Sequence, residues 1–377
     1  MRRHDDATIV ARTGSSNLLD TSAHPAQAEQ VRQAPASPRK QRVQLCAPID
    51  FEEWGRRFRS GLIADRLPYG FDQLEGPEVE VHTRVVASPQ RNIRGLTGAT
   101  GLRASGPDWA VTWDERSAVA AIQEGIRAPR RASGLIWATD HIERSQRALE
   151  MKLLRRYMRQ LDIVWCLSRP QVDSAGKWLS SSQSSGPRIE FLPFGINTNH
   201  FAYTAYPTTK MVLSLGNDPD RDPVSVVEAM SEVRRADPGV RLIIQSTMLD
   251  HAPPGVELLR SIPHDELLRL YGAASVVLIA TRHNTHVSGM TVALEAQSVG
   301  RPVVMTSTRG AEDYLLGESA ASVAPGDVRG LAARVLALLA DPDRSADIGR
   351  TARQYTEERH TAALMMTRMS DLLSLPN

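Results

Sequence analysis

From residue 43 onward, short apolar runs alternate with stretches whose apolar residues recur every three or four positions, and this alternation occurs twice. The first series runs VQLCAPI, a helical pattern over 51–67, VEVHTRV, WAVTWD with the helix ERSAVAAIQ, GLIWATDH with a long helix over 143–160, and DIVWCLS. A polar loop, SSSQSSGPRIEFLPFG, leads through a strand into a linker. The second series begins at MVLSLG and continues through PVSVVEAMSEVRRA, RLIIQS, HDELLRLYGAA, SVVLIAT, a helix over 289–299, PVVMTS and ASVAP. From Asp327 the pattern is almost wholly helical. Strands alternating with helices predict parallel sheets covered on both faces. The expected architecture is therefore α/β: two Rossmann-like, doubly wound domains, 43–195 and 196–350, facing across a cleft. Helices over 351–377 are expected to pack back toward the first domain. In such sheets ligands bind at the carboxyl ends of the strands.

Residues 1–42 are rich in Ala, Ser, Gln, Pro and Arg, too poor in large apolar side chains to offset the cost of ordering, and read as a disordered tail. The glycine-rich stretch 94–106 lacks the spacing of a dinucleotide fingerprint and reads as a flexible loop. The charge balance of 45 basic against 43 acidic residues excludes a dedicated nucleic-acid binder, which carries a strong basic excess. Two cysteines, Cys46 and Cys166, fall in apolar strands and read as inert core thiols rather than a disulfide. The start has an arginine pair but no apolar core after it, and no run approaches the roughly 18 apolar residues of a membrane span. A cytoplasmic location is the expectation. Helix 143–160 adds a qualification, since Arg144, Arg147, Lys152, Arg155, Arg156 and Arg159 accompany an apolar stripe of Leu149, Leu153, Tyr157 and Leu161. That is the pattern of a packed helix with a solvated face, or of loose attachment to an anionic membrane.

The stretch HVSGMTVALEAQSVGRPVV, 286–304, concentrates the candidate chemistry. Read as a helix over 289–299 that Gly300 ends, it places Ser288, Thr291, Glu295 and Ser298 on one face. Its N-terminus follows strand SVVLIAT and so lies at the ligand-binding edge. The free backbone N–H groups there, including those of Met290 and its neighbours, suit a phosphate, and Gly289 lets an anion approach closely. Glu295, about two turns in, has the wrong charge for phosphate but can accept hydrogen bonds from a ribose diol. The alternative is a capped or surface glutamate. In SLGNDPDRD, Gly216 permits a tight turn and Arg221 can grip phosphate from the same edge. Asp218 and Asp220 form a D-x-D pair, but no third ligand is signalled. A metal is the weaker reading, and no cofactor is expected.

These segments resemble, in order, those of the retaining glycosyltransferases of family 4, the glycosyl transferases group 1, which have the GT-B fold. FLPFGINTNHF resembles the family's linker, LGNDPDRDPVSVVEAM its glycine, basic residue and following helix, and HDELLRLYGAASVVLIAT with SGMTVALEAQSVGRPVV its donor-site strand and helix. RGAEDYL, VAPGDVRGLAARVLALLADPD and the RQYTEERHT helix continue the match, which covers the chain from about residue 162. The resemblance implies that Glu295 is the second glutamate of an E-x7-E motif and holds ribose, and that Arg221 contacts donor phosphates. His141 falls where the family commonly places a histidine facing the sugar. Two departures stand out. Val287 occupies the position of the first glutamate, and Asn217 that of an arginine after the glycine. Of the glycine pair expected after the first strand only Gly55 remains. With Val287 apolar, either the sugar is held by His283, His286 or the amides of residues 288–291, or activity is weakened.

The resemblance implies metal-independent transfer of a hexose from a UDP- or GDP-linked donor to a saccharide, lipid-linked or small-molecule acceptor, with retention, in polysaccharide or glycoconjugate synthesis. Arg221 and the helix N-terminus would stabilise the leaving diphosphate electrostatically. His141 would orient or polarise, and the sequence assigns no general base. A non-catalytic GT-B protein that binds a nucleotide or a partner is the rival from another class, and a sugar-nucleotide epimerase the lesser one.

Overall fold

The computed structural model describes residues 39–88, 106–180, 186–315 and 320–376. Residues 1–38 of the expected tail, and all but the end of the glycine-rich stretch 94–106, lie outside the described residues.

The first sheet contains β1 (Gln41–Ala47), β2 (Val79–Val85), β3 (Trp109–Thr112), β4 (Arg130–Gly134), β5 (Ile163–Cys166) and β6 (Arg188–Phe191), all parallel, in the order β2-β1-β3-β4-β5-β6. Its helices are α1 (Phe51–Arg59), α2 (Glu115–Gln123), α3 (Ala138–Glu143), α4 (Ala148–Met158) and α5 (Arg169–Leu179). The second sheet contains β7 (Met211–Leu215), β8 (Arg241–Gln245), β9 (Val256–Leu259), β10 (Val276–Ile279), β11 (Val303–Thr306) and β12 (Ala320–Val323). Its order is β12-β11-β10-β7-β8-β9, also parallel. Helices α6 (Pro223–Ala236), α7 (His264–Ala273), α8 (Met290–Val299) and α9 (Val328–Ala340) flank it, and α10 (Pro342–Arg359) and α11 (Ala362–Leu373) end the chain. Strands β7, β10 and β11 are buried along their whole length, which is why MVLSL, VVLI and VVMT are continuous apolar runs rather than alternating ones. In each sheet the strand order reverses once, between β1 and β3 and between β7 and β10. Such a switch point opens a crevice between the loops that leave the two strands.

The structure corrects several details of the pattern. β1 begins at Gln41, inside the stretch expected as tail, because its first residues pair with Val79 and Glu80. Helix α1 stops at Arg59, ahead of Ser60 and the left-handed Gly61, rather than reaching 67. The edge strand β9 has no counterpart in the pattern, since VELL is short and half exposed. The long helix over 143–160 is broken. α3 ends at Glu143, Ser145 and Arg147 take left-handed backbone angles, and α4 starts only at Ala148. The break turns Arg144 out of the helical register and across to the second domain, where it meets Asp220. Leu149, assigned to the apolar stripe, is 81% exposed, whereas Tyr157 and Leu161 are buried. Cys46 and Cys166 are free, buried thiols, and burial raises both pKa values, that of Cys46 to about 12.

Helix α11 lies against the 3-10 segment Pro68–Leu74 of the first domain, beside the point where the linker leaves β6. Gly195 makes this crossing possible, because a Cβ there would stand 2.2 Å from the Thr361 carbonyl oxygen. The amides of Ile196 and Ala362 reach the carbonyls of His360 and Ile196 at 2.9 and 2.8 Å, and Arg188 bonds the carbonyl of Leu372. One apolar core runs from Val43, Trp109 and Trp165 through Phe194 and Phe201 to Ile243 and Val277, and includes Met365 and Met369 of α11. No helix among the described residues is long and apolar enough to cross a membrane.

Candidate active site

The switch point of the second sheet brings together the turn after β7 and the loop between β10 and α8. Arg221 and Thr281 form an isolated antiparallel bridge there. The Arg221 side chain then lies between two glycines. A Cβ on Gly216 (φ +138°) would stand 2.6 Å from its Nη2, and one on Gly289 (φ +95°) 2.8 Å from its Nη1. Any side chain at either position would displace the guanidinium, so both glycines are required by the arginine as well as by their own backbone angles. Arg221 is only 7% exposed, its Nε meets no acceptor, and its guanidinium makes no side-chain hydrogen bond among the described residues. Burial lowers its pKa to about 10, so it remains a cation at neutral pH. A buried charge without a hydrogen-bonded partner is expensive, and only the through-space pull of Asp218 and Glu295 offsets the burial of this one.

Helix α8 starts beside it. Gly289 caps the helix without a side chain, and Gly300 ends it in the left-handed conformation, as expected from the sequence. The amides expected to bind phosphate divide into two sets. That of Ser288 already donates to Asn284 Oδ1 at 2.9 Å, and that of Met290 to the Val287 carbonyl at 3.0 Å. The amides of Gly289, Thr291 and Val292 have no acceptor among the described residues. Met290 is placed differently from expectation, with its side chain in the core. On the exposed face Thr291 is open to solvent. Ser298 belongs to the scaffold, donating to the Phe201 carbonyl and accepting from Arg353. Glu295 is half-buried, and its Oε2 accepts 2.6 Å from the hydroxyl of Tyr271, itself fully buried in α7. Burial raises the Glu295 pKa to about 7, against the opposing pull of Tyr271 and Arg221. Its other oxygen remains available to a ligand.

His286 is the main correction. Expected to hold the sugar, it is instead 5% exposed and spent on both ring nitrogens. Nδ1 lies 2.5 Å from Asp140 of the first domain, and Nε2 lies 3.2 Å from Asp218. Burial alone would lower its pKa, but the two carboxylates prevail and raise it to about 9, while Asp140 and Asp218 are held below the ordinary range. Asp140 also accepts from the Thr285 amide at 2.7 Å, Arg144 reaches Asp220 at 2.8 Å and the His283 carbonyl at 2.6 Å, and Ser168 donates to the Thr285 carbonyl at 2.6 Å. The first domain thus grips loop 282–288, while Ser288 secures Asp218 at 2.7 Å. Asp140, Asp220 and His286 bring one ligand atom each within 4.8 Å of one another. A cation entering there would compete with the His286 proton and with Arg144, which already balance these carboxylates. The imidazole of His283 lies on the exposed side of the loop. Asn217 is engaged by the amide and hydroxyl of Thr247 at 2.6 and 3.0 Å.

Val287 is buried and carries φ +54°, a region in which β-branched residues are outliers. It packs under Gly310, where an added Cβ would stand 3.2 Å from its Cγ2. This position faces the core, not the cleft. His141 lies on α3, half-buried, with Nδ1 3.2 Å from Gln146 Oε1, and lines a cavity in the first domain. Three contributors escaped the sequence reading: Tyr271, Asp140 and Arg144. Nothing local marks them, because each acts on a residue 24 or more positions away.

Fold and geometry define the class first: a two-domain, doubly wound α/β protein with an unpaired cation at the switch point of its second sheet. Residues 210–341 match the model of the family described as glycosyl transferases group 1. Over 140 residues, 34% of this chain, it is 32% identical to a glycogen synthase of Mycobacterium tuberculosis. Over 220 residues, 51% of the chain, it is 24% identical to the GDP-mannose-dependent monoacylated alpha-(1-6)-phosphatidylinositol monomannoside mannosyltransferase of Corynebacterium glutamicum. The matches span 33% and 58% of those two relatives. Sucrose-phosphate synthase of Thermosynechococcus elongatus is similar over 89% of this chain and 99% of its own, with a TM-score of 0.63 at 14% identity. The HepE protein of Anabaena, solved with UDP and glucose, is similar over 89% and 100%, with a TM-score of 0.60 at 14% identity. The chain has the GT-B fold, and the glycosyl transferases group 1 match lies within its second domain.

Proposed function

We propose that the protein is a glycosyltransferase that moves a hexose from a nucleotide-diphosphate sugar to an acceptor hydroxyl with retention of anomeric configuration. The observation that carries this reading is the unpaired Arg221 guanidinium, held between Gly216 and Gly289 beside an uncapped helix. Arg221 and the amides of Gly289, Thr291 and Val292 receive the diphosphate, and Glu295, steadied by Tyr271, accepts from the ribose diol. The bond from the anomeric carbon to the phosphate oxygen breaks as the acceptor oxygen bonds to the same face. The leaving phosphate takes the hydroxyl proton, so no side chain need act as base. Preorganised positive charge is worth most at the departing oxygens, where negative charge grows in the transition state. His141 orients the acceptor from the first domain.

The donor is UDP- or GDP-linked. HepE was solved with UDP, and the Corynebacterium relative is named for GDP-mannose. The role is in polysaccharide or glycoconjugate synthesis. Transfer needs no metal, since His286 and Arg144 already balance the carboxylates of the D-x-D turn. Release of nucleoside diphosphate from UDP-glucose or GDP-mannose, only when an acceptor is added and undiminished by chelator, is the expected result. One observation favours a second reading, a nucleotide-binding protein without activity: the apolar, core-facing Val287 where the family carries a glutamate. Nucleotide binding with no transfer across a broad acceptor panel would decide for it.

A further inference from the structure

Two histidines that the proposed transfer does not use meet where the linker touches the second domain. His200 ends the turn that follows Asn197, and its amide donates to Asn197 Oδ1 at 3.1 Å. Asn197 is fixed in turn, donating through Nδ2 to the Ala64 carbonyl and to Asp65 Oδ1 of the first domain at 3.0 Å each. His264 opens α7 directly after Pro263, whose ring fixes φ at −57°. The Nε2 atoms of the two imidazoles are in direct contact, with ring centroids 4.7 Å apart and planes 33° from parallel. The buried ring of Phe201 lies edge-on to both, 5.2 Å from His200 and 6.4 Å from His264. A capped turn, a helix start and a shared aromatic neighbour therefore aim the same nitrogen of each ring at one point.

Two lone pairs that face each other repel. Either one ring keeps a proton on Nε2 and donates it to the other, or a cation stands between them. Burial lowers both pKa values below 6.5, aided at His200 by His264, and at His264 by Arg57 against the weaker pull of Asp265. Both rings are therefore uncharged at neutral pH, the state that metal ligands require. Metal–nitrogen bonds of about 2.0–2.1 Å put two nitrogens on one ion roughly 3 Å apart. Both side chains are half-buried and can turn outward by that small amount. Imidazole suits zinc or nickel, whereas magnesium and calcium take oxygen ligands. Among the described residues no third histidine, cysteine or carboxylate joins the pair closely enough to share an ion.

We propose that His200 and His264 form a two-histidine site for a divalent transition-metal ion, zinc or nickel, with water at the remaining positions. The ion joins the linker to α7, the helix that carries Tyr271, and braces the fold without entering the transfer reaction. Zn²⁺, Ni²⁺ and Mg²⁺, each titrated calorimetrically into the untagged full chain at neutral pH, provide the test. Zn²⁺ and Ni²⁺ should each fill one site that His200→Asn or His264→Asn weakens by roughly tenfold or more, and Mg²⁺ should not fill it. Asp140→Asn removes a carboxylate from the one other group of candidate ligands among the described residues and should leave this site unchanged. Urea unfolding gives a second readout, because an ion held only by the folded chain shifts the midpoint upward. Zn²⁺ should raise the wild-type midpoint above its value in chelator, and should leave the midpoints of the two histidine variants where chelator puts them. Equal Zn²⁺ affinity in the wild type and both histidine variants would overturn the proposal. So would a site lost only in Asp140→Asn, or a wild-type chain that binds neither Zn²⁺ nor Ni²⁺.

Discussion

The second domain buries an arginine at each end of its helix α8, and the two are handled in opposite ways. Arg301, just past the C-terminus, is fully buried. Its Nε and Nη2 donate to the carbonyls of Tyr271, Thr204 and Ala205 at 3.1, 3.0 and 2.9 Å. Arg221, at the N-terminus, is equally deprived of water, yet its guanidinium bonds to no side chain or carbonyl among the described residues. Burial lowers both pKa values to about 10. The same charge at similar depth therefore means two things. Where carbonyls converge on it, the arginine ties the linker to the domain. Where two glycines let the backbone close on it, the arginine is left without a hydrogen-bond acceptor among the described residues.

The largest effect expected from this contrast is on Arg301. Arg301→Met strands three carbonyls and should cost about 3 kcal/mol or more in urea unfolding. Arg221→Met should cost clearly less stability than Arg301→Met, because it breaks no side-chain hydrogen bond and loses only the through-space attraction to Asp218 and Glu295. The same variant should lose about 1.5–3 kcal/mol of UDP affinity by calorimetry. Equal destabilisation by the two substitutions would break the comparison.

A smaller effect should come from the loop that positions Arg221. Asp140→Asn leaves His286 without its nearer carboxylate and should cost about 1–2 kcal/mol in stability and comparably in transfer. The pH dependence follows from the signs. The His286 pKa is raised from 6.5 to about 9, so its contribution is fully present below pH 6.5 and is lost as pH rises through about 9. Asp140 and Asp218 lie below their ordinary value, so their contribution is lost as pH falls through that depressed range. Unfolding followed from pH 6 to 10 should show the alkaline loss in the wild type and a shallower one in Asp140→Asn.

The smallest effect concerns Glu295. With a pKa near 7, its carboxylate charges as pH rises through neutrality, so affinity for UDP-glucose should strengthen by up to about 1 kcal/mol across that range. UDP-glucose is the right probe because its diphosphate carries no terminal phosphate proton to confuse the titration. Glu295→Gln should flatten the profile, and an unchanged slope would remove Glu295 from the ribose site.

Local signals in the sequence carried much of this arrangement. Continuous apolar runs marked β7, β10 and β11 as central parallel strands, and Gly300 marked the end of α8. Gly216, Arg221 and Glu295 stood out because turn chemistry and helical spacing are written over a few residues. The remainder depends on distant partners. Tyr271 is an ordinary tyrosine in an amphipathic helix until folding sets it against Glu295. His286 reads as a sugar-binding side chain because the sequence does not show Asp140 arriving from the other domain. The pattern of helix 143–160 is continuous, and the break goes with contacts the pattern does not show, from Arg144 to Asp220 and to the His283 carbonyl. Val287 reads as a lost cleft residue, whereas its backbone turns it into the core.

The packing of α11 bears on how the chain is made. Met365, Met366, Met369 and Leu373 are buried, each worth about 1.5–3 kcal/mol when removed from water. This helix lies against a segment that precedes it by nearly 300 positions. On a ribosome, where domains ordinarily fold in order of emergence, the first domain would wait with an apolar face uncovered until the last helix appeared. The second domain, whose sheet ends at Val323, could close first. Synthesis order and folding order would then run opposite to each other, and the newborn chain would need shielding at its leading half.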